Sequence, residues 1–235
     1  MISIKNLTFG YKKNQNLFKN LELELHAGNI YGLFGMNGAG KTTLLKHMAG
    51  LLFAKQGECQ IFEKDVKDRL PEIMANIYVI PEEFVLPAVK ISTFVELHAP
   101  FYPRFDYTLL EKYLSEFEIS NGKKLTAYSY GQKKKFLIAF GLATQTNVLL
   151  MDEPTNGLDI PSKSQFRRIM AAASTEDQCI VISTHQVRDL ASIIDHVIVL
   201  ENGQIIFKEP KTAKSRRRIT LSESPSTRCV PTGAP

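Results

Sequence analysis

The hydrophobic pattern of the chain predicts short buried strands that alternate with helices. Leu21, Leu23 and Leu25 alternate with glutamates, which is typical of a half-buried strand. Further strands are predicted where apolar positions cluster between turn residues, at 2–9, 30–34, 77–80, 148–151, 180–183 and 197–200. Helices are predicted at 41–50, 161–173 and 186–194. This alternation favours an α/β fold with a mostly parallel sheet and antiparallel strands near both ends.

Two segments depart from the alternation. Residues 88–145 show helical periodicity without buried-strand runs, and they are predicted to form a helical subdomain inserted into an α/β domain at 1–210. Residues 211–235 contain twelve Ser, Thr, Pro or Gly and almost no apolar period, which predicts a disordered tail. Asn202-Gly203 predicts a hairpin turn between the last two strands.

The composition is that of a soluble globular protein, and the charge lies at one end. The 235 residues are 44% hydrophobic and 23% charged, with 29 basic and 24 acidic residues and a net charge of +5. Seven of the basic and two of the acidic residues lie at 208–235, which leaves 22 of each in 1–207. The body is therefore neutral, and its charge gives no support for a specific nucleic-acid partner.

The cysteines and the apolar runs indicate the cellular setting. Cys59, Cys179 and Cys229 are far apart and lack metal-ligand spacing, which suits a reducing compartment. The N-terminus has no apolar segment after a basic start, so no signal peptide is expected. The longest apolar run, 136–143, is far shorter than the ~20 residues of a spanning helix, so the chain is not expected to cross a membrane.

Residues 35–42, Gly-Met-Asn-Gly-Ala-Gly-Lys-Thr, match the phosphate-loop pattern G-x-x-x-x-G-K-[ST] between a predicted strand and a predicted helix. Glycines let backbone N–H groups converge on phosphate oxygens, and the amino end of the helix adds a favourable dipole. Lys41 is expected to reach the β- and γ-phosphates, and Thr42 to offer its hydroxyl to Mg²⁺. A glycine turn capping a helix is the alternative, but it does not require the Lys-Thr pair.

Two carboxylates, Asp152 and Glu153, stand at the end of a predicted buried strand. Asp152 is suited to the coordination sphere of Mg²⁺, and Glu153 to orienting or deprotonating an attacking water. By itself, a strand followed by Asp-Glu is usually the start of a solvated loop. In a chain that also carries a phosphate loop and a parallel sheet, the functional interpretation is favoured.

Residues 128–132, Tyr-Ser-Tyr-Gly-Gln, precede a lysine-rich helix start. Ser129 is expected to cap this helix, whose amino end could receive an anion. An ordinary capped helix is the alternative. Lys133, Lys134 and Lys135 are predicted to form a solvated helix start, with phosphate binding as the minor alternative.

Taken together, these motifs resemble the ATPase subunit of an ATP-binding cassette (ABC) transporter, and the resemblance covers 1–207. Residues 35–42 are similar to the Walker A loop of that family. Residues 148–153 are similar to Walker B with its catalytic glutamate, and 128–132 to the L-S-G-G-Q signature. Residues 156–159 resemble the D-loop.

The resemblance also implies roles for single residues around bound ATP and Mg²⁺. Glu153 and His185 would be catalytic, with His185 as the switch histidine that contacts the γ-phosphate. Thr42, Glu82 and Asp152 would hold the metal. The residues implied in nucleotide binding, with Tyr11 stacking on adenine, are Tyr11, Gly35, Asn37, Gly38, Ala39, Gly40, Lys41, Thr42, Thr43, Ser129, Gly131, Gln132 and Asp159. For Tyr11, an ordinary turn aromatic is the alternative.

Two positions depart from the family pattern. Glu82 stands where the family has Gln, and two like charges ~4 Å apart at an effective dielectric of ~20 repel by about 4 kcal/mol, whereas Mg²⁺ attracts. Our hypothesis is that Glu82 is a metal ligand, direct or through water, and that ATP binds weakly without Mg²⁺. A solvated loop carboxylate is the equal alternative. Tyr130 replaces a signature glycine, so close approach to a partner's nucleotide would rely on Ser129 and Gly131.

The resemblance implies a head-to-tail dimer with a second cassette, identical or related, and an integral membrane permease as a further partner. It places the chain in the cytoplasm, at the inner face of the cell membrane. Glu82 and the segment 101–106 resemble small exporter cassettes more than nutrient importers. The alternatives are a soluble ABC-type ATPase that acts on the ribosome or nucleic acid and a small-molecule kinase, although the latter does not explain 129–132 or His185.

Overall fold

The computed structural model describes residues 1–210, and the predicted disordered tail at 211–235, with Cys229, lies outside the described residues. The strands are β1 Ile2–Phe9, β2 Phe18–Leu25, β3 Asn29–Phe34, β4 Gln56–Ile61, β5 Lys64–Asp65, β6 Ile77–Ile80, β7 Val148–Asp152, β8 Cys179–Thr184, β9 His196–Glu201 and β10 Gln204–Pro210. The helices are α1 Lys41–Met48, α2 Pro71–Met74, α3 Ile91–His98, α4 Tyr107–Glu116, α5 Tyr130–Ala143, α6 Ile160–Ala173 and α7 Val187–Leu190.

The strands form two sheets. An antiparallel sheet has the order β2-β1-β4-β5, and a six-stranded sheet has the order β10-β9-β3-β8-β7-β6. In the larger sheet β9, β3, β8, β7 and β6 are parallel, and β10 pairs antiparallel with β9 through the predicted hairpin. The predicted α/β class, with its antiparallel part near the N-terminus and its helical insertion, is confirmed.

The parallel sheet lies between two hydrophobic cores because side chains alternate along each strand. Leu149 and Met151 belong to a core built with α3 to α6, whereas Val148 and Leu150 belong to a core built with α1 and the antiparallel sheet. Helix α1 therefore packs between the two sheets, and its amino end is held at the carboxyl edge of β3.

Parts of the chain differ from the sequence prediction. The strands β4 and β5 and the short helix α2 were not predicted, and the predicted helix at 186–194 is helical only over Val187–Leu190. The helix is short because the chain must rejoin the sheet. The Asp195 backbone N–H donates to the Ile30 carbonyl at 2.8 Å, and the Asp195 carboxylate accepts from the Ile30 N–H at 2.9 Å.

Within residues 1–210, the longest helices have fourteen residues, and none is long and apolar enough to cross a membrane. Cys59 and Cys179 are buried free thiols in strands β4 and β8.

A buried histidine in α1 predicts how stability depends on pH. His47 lies edge-on against the rings of Phe9 and Phe18, and its Nε2 has no hydrogen-bond partner among residues 1–210. Burial lowers the pKa of His47 from 6.5 to about 4. Between these two pKa values the unfolded chain binds a proton at His47 and the folded chain does not, so stability falls as the pH drops from about 6.5 towards 4.

We expect this histidine to cost about 2 kcal/mol of unfolding free energy between about pH 7.5 and about pH 5. In urea denaturation, the unfolding free energy of His47→Phe should therefore fall by about 2 kcal/mol less than that of the wild type over the same pH interval. The variant keeps an aromatic ring but loses the titrating group. His26→Gln, which replaces an exposed histidine, is the control. Equal losses in the wild type and His47→Phe would contradict the assignment.

Candidate active site

Residues 35–40 form the loop between β3 and α1, and three of its glycines occupy positions where a side chain is disfavoured or has no room. Gly38 and Gly40 have φ of 83° and 107°, which L side chains rarely adopt. A Cβ on Gly35 would lie 2.4 Å from the carbonyl oxygen of Leu200, so this position has no room for a side chain. A Cβ on Gly38 would meet no atom within 4 Å, and the loop at this point therefore faces open space.

Lys41 is the first residue of α1, and its ammonium lies inside the loop. It is only 6% exposed. Its Nζ donates to the carbonyl oxygens of Gly35 at 2.8 Å and Met36 at 3.3 Å, and it lies 3.5 Å from Oε1 of Glu153. A lysine held this way presents its charge beside the N–H groups at the amino end of a helix, which is an arrangement that favours a bound phosphate.

A cleft of about 780 Å³ opens beside this loop. The predicted site residues that line it are Tyr11, Asn37, Gly38, Gly40, Lys41, Thr42, Thr43, Glu82 and Glu153. Tyr11 is 65% exposed, and its hydroxyl shares a 3.1 Å hydrogen bond with Oγ1 of Thr43. Its ring therefore stands at the wall of the cleft with a free surface, as stacking on a planar base requires.

The two carboxylates at the carboxyl end of β7, Asp152 and Glu153, are buried in the same region, and strand β8 holds them. The hydroxyl of Ser183 donates to the carboxylate of Asp152. The backbone N–H of Glu153 donates to the carbonyl oxygen of Ser183 at 3.1 Å and to its hydroxyl at 3.2 Å. Glu153 has φ of 44°, a conformation that costs free energy in a non-glycine residue and is fixed here by these two bonds.

His185 follows β8 and contacts Glu153 directly. Its Nδ1 lies 3.0 Å from Oε1 of Glu153, and its Nε2 lies 3.3 Å from the side-chain amide nitrogen of Gln186. Since that amide donates, the neutral ring carries its proton on Nδ1 and donates it to Glu153. Lys41 and His185 thus both contact Oε1, and in the described part of the chain Oε2 has no partner.

Glu82 lies two residues after β6, is half-buried and lines the cleft. Its Oε1 accepts a hydrogen bond from the side-chain amide of Asn156 at 3.0 Å. The segment after β6 and the segment after β7 are therefore linked at the edge of the cleft, close to where a phosphate on the loop would lie.

The carboxyl ends of the parallel strands explain this convergence. Strand β3 leads to Lys41, β6 to Glu82, β7 to Glu153 and β8 to His185. Ligands of open α/β sheets bind at this edge because loops from neighbouring strands meet there.

The signature-like segment lies elsewhere. Ser129 caps α5, and its hydroxyl accepts from the N–H of Gln132 at 3.2 Å while the Gln132 side chain accepts from the N–H of Ser129 at 3.0 Å. Asp159 caps α6 in a similar way, and its bonds to Ser162 lower the pKa of the Asp159 carboxyl. The predicted site residues that do not line the cleft are Gly35, Ala39, Ser129, Gly131, Gln132, Asp152, Asp159 and His185.

The prediction of a solvated helix start at Lys133, Lys134 and Lys135 is wrong for Lys134, which is 0% exposed. Its Nζ donates to the carbonyl oxygens of Pro81 at 3.2 Å and Glu82 at 3.1 Å. Burial lowers the pKa of the Lys134 ammonium to about 8, against the attraction of nearby carboxylates. The lysine is buried because residues 81–84 pack over the start of α5.

Part of the cleft wall was not predicted from the sequence. It is formed by Lys12, Gln15, Asn16, Leu17 and Asn202. Asn202 was assigned only to a hairpin turn. A Cβ on its neighbour Gly203 would lie 1.6 Å from the carbonyl oxygen of Leu17, so the hairpin is pressed against the N-terminal sheet. Only the Asn-Gly pair signalled this turn, and nothing local indicated what it would contact.

Among residues 1–210, no group of three or more His, Cys, Asp or Glu side chains forms a metal site. The hydroxyl of Thr42 and the carboxylates of Asp152 and Glu82 are the hard oxygen donors that Mg²⁺ prefers. They fit a metal that is completed by phosphate oxygens of a nucleotide rather than one held by the protein alone.

Comparison with known proteins gives consistent matches. The family model described as "ABC transporter" matches residues 18–156. YtrB, an ABC transporter ATP-binding protein of Bacillus subtilis, is 28% identical over 87% of this chain and 70% of its own. EcfA1, an energy-coupling factor transporter ATP-binding protein of Fusobacterium nucleatum, is 30% identical over 88% of this chain and 81% of its own.

The structural comparison agrees. A solved structure of the ATP-binding subunit of an ABC transporter matches with a TM-score of 0.82 and 25% identity over 95% of both chains. The names of further matches include both uptake systems and an exporter.

Proposed function

Because the chain belongs to the ABC transporter family, we propose that its ATP hydrolysis energises transport through a separate membrane-spanning partner, in the direction of export. As a member of the family it is an ATPase. The proposal rests mainly on the contacts of Glu153 beside the phosphate loop. The Lys41 ammonium and the His185 ring both lie within 3.5 Å of Oε1 of Glu153.

ATP is the substrate of the cleft. The N–H groups around Gly38 and Gly40 bind the phosphates together with the Lys41 ammonium, and the dipole of α1 adds to the attraction. The adenine stacks on the exposed ring of Tyr11, which its hydrogen bond to Thr43 orients. When bound, Mg²⁺ supplies charge neutralisation at the β- and γ-phosphates, and Thr42, Asp152 and Glu82 are the residues that would hold it.

Glu153 is the general base. His185 and Lys41 occupy Oε1, so Oε2 is the oxygen that takes the proton of the attacking water. The water oxygen forms its bond to the γ-phosphorus as the bond to the β-phosphate oxygen breaks, and ADP leaves with that electron pair. The ammonium of Lys41 stabilises the charge that develops on the phosphate oxygens.

A second cassette completes the site. Ser129 and Gly131 lie outside the cleft of their own chain, at the amino end of α5. A Cβ on Gly131 would meet nothing closer than 3.5 Å, so packing within the chain does not require glycine there. The absence of a side chain therefore serves close approach from outside, and we assign that approach to ATP bound by the partner cassette.

The membrane partner is an integral permease subunit, which places the chain at the inner face of the cell membrane. Relatives named as transporter ATP-binding proteins support this assignment. Leu97 in α3 and Phe101 in the 3₁₀ turn that follows α3 are 59% and 69% exposed. Such apolar side chains are suited to contact with another protein.

Export is supported by the resemblance of Glu82 and the segment 101–106 to small exporter cassettes.

The membrane partner is tested by purifying the tagged full chain from membranes and identifying the proteins that accompany it. A polytopic membrane protein is expected, and its loss on adding high salt would indicate a polar contact. Release of the labelled cargo from cells, rather than uptake, would establish direction.

Two outcomes would contradict the proposal. Recovery with ribosomes or nucleic acid, and not with a membrane protein, would favour a soluble ABC-type ATPase. ATP turnover that is stimulated by a phosphate-accepting small molecule would favour a kinase.

The role of Glu82 gives a further prediction. Glu82→Gln removes a negative charge beside the triphosphate, so ATP should bind more tightly without Mg²⁺ and gain less from its addition. Titration of a fluorescent ATP analogue with and without Mg²⁺ measures both affinities. Glu83→Gln, a change at the exposed neighbour, is the control. An unchanged Mg²⁺ dependence in Glu82→Gln would show that Glu82 is only a solvated loop carboxylate.

A further inference from the structure

Tyr130, which stands where the family has a signature glycine, makes its contacts within its own chain. Its hydroxyl donates to the carbonyl oxygen of Glu82 at 2.8 Å. Its ring stacks on that of Phe84, with centroids 5.2 Å apart and planes at 18°. A Cβ on Gly157 would lie 2.8 Å from the same ring, so the segment after β7 packs closely against it. The side chain therefore lies against the segments that follow β6 and β7, and 46% of it is exposed.

Lys134, one turn further along α5, reaches the same place. Its Nζ donates to the carbonyl oxygens of Pro81 and Glu82, and it lies 5.5 Å from the ring centroid of Phe84 and 6.0 Å from that of Tyr130. A buried ammonium is costly unless its charge is compensated. Here two carbonyl dipoles and two aromatic faces compensate it. The carbonyl of Glu82 thus receives two donors from α5.

The side chain of Glu82 is held from the other direction. Its Oε1 accepts from the amide of Asn156, which follows β7. The backbone of Glu82 is therefore fixed to the start of α5, and its carboxylate is fixed to the segment that carries Glu153. Together these contacts determine where the carboxylate lies in the cleft.

We propose that Tyr130 and Lys134 are positioning residues that hold the Glu82 carboxylate at the nucleotide cleft, so that the start of α5 sets how strongly Mg²⁺ promotes ATP binding. The inference rests on the proposed role of Glu82. It has a structural consequence for the dimer. Ser129 and Gly131 belong to the same helix start, so a shift of Glu82 at one nucleotide moves the surface that faces the other.

Tyr130→Phe tests the hydroxyl alone, because the ring keeps its contacts with Phe84 and Gly157. In a Glu153→Gln background that prevents hydrolysis, the affinity for a fluorescent ATP analogue is measured without and with Mg²⁺. One such hydrogen bond corresponds to roughly a fivefold change, so the gain in affinity from Mg²⁺ should shrink about three- to tenfold. The affinity without Mg²⁺ should change by less than about twofold, since the charge of Glu82 stays.

Lys134→Met removes two hydrogen bonds and should reduce the gain in ATP affinity from Mg²⁺ by more than about tenfold. Should Lys134→Met fail to fold, Tyr130→Phe decides the question alone.

Two matched changes control for a purely structural effect. Tyr31→Phe removes a hydroxyl that accepts from the N–H of His26, and Lys135→Met removes the neighbouring lysine, which donates to Phe117 and Gln165. Neither touches Glu82, so both should keep the gain from Mg²⁺. The proposal is overturned if the gain in ATP affinity from Mg²⁺ is as large in Tyr130→Phe as in Tyr31→Phe, while Glu82→Gln changes that gain. If Glu82→Gln also has no effect, the role of Glu82 fails and the positioning inference fails with it.

Discussion

We expect Glu153→Gln to retain ATP binding and to lose ATP turnover by about 10²- to 10⁴-fold, the usual contribution of a general base. Glutamine has the shape of glutamate, and its Oε1 can still accept from Lys41 at 3.5 Å and from His185 at 3.0 Å. The contacts that order the site therefore remain, and only the proton acceptor is lost. Release of phosphate under saturating ATP measures the effect.

The same variant should accumulate as a dimer in ATP. In our proposal each ATP is bound between the two cassettes, so the cassettes stay together until ATP is hydrolysed. Light scattering after size-exclusion chromatography distinguishes monomer from dimer. ADP should not support the dimer, and the exposed change Glu83→Gln should hydrolyse ATP like the wild type. Normal turnover in Glu153→Gln would exclude Glu153 as the base.

Lys41→Ala should weaken ATP binding by roughly 10- to 150-fold, because a hydrogen bond to a charged group is worth about 1.5–3 kcal/mol. The carbonyl oxygens of Gly35 and Met36 hold the ammonium inside the loop, so it is already in position before ATP binds. Lys41→Arg should not restore binding, since a planar guanidinium does not fit the pocket that holds an ammonium.

Isothermal titration with ATP and Mg²⁺ measures this loss, and Lys46→Ala is the matched control. Lys46 belongs to the same helix but is exposed, so its removal should leave the affinity within about twofold. If Lys41→Ala bound ATP as tightly as Lys46→Ala, the loop would not be the phosphate site.

The phosphate loop was predictable because its requirements are local. The positive φ of Gly38 and Gly40 and the position of Lys41 at the first turn of α1 depend on consecutive residues, and the pattern between strand and helix records them. The buried strands of the parallel sheet were predictable for the same reason, since each is an apolar run of four or more residues. Strand β4 was not, because Gln56–Ile61 has only two apolar positions and is held by pairing with β1.

The burial of Lys134 could not be predicted from its neighbours. Lys133 and Lys135 stand beside it in the sequence, and all three look alike as a charged run. What buries Lys134 is the segment 81–84, about fifty residues earlier in the chain, which places two carbonyl groups and an aromatic ring over it. A long-range contact of this kind leaves no periodic signal. The same holds for Asn202, which reaches the cleft only because its hairpin packs on Leu17.

The position of β3 in the sheet bears on the order in which the protein can become competent to bind ATP. This strand leads into the phosphate loop, and it lies between β8 and β9, which begin at Cys179 and His196. Contacts so distant in sequence form late, because closing a long chain segment costs entropy before any pairing compensates it. A nascent chain that has emerged only through α6 therefore lacks both neighbours of β3. ATP can therefore bind only after the whole sheet has formed, and nucleotide added during refolding should stabilise only the final folding step.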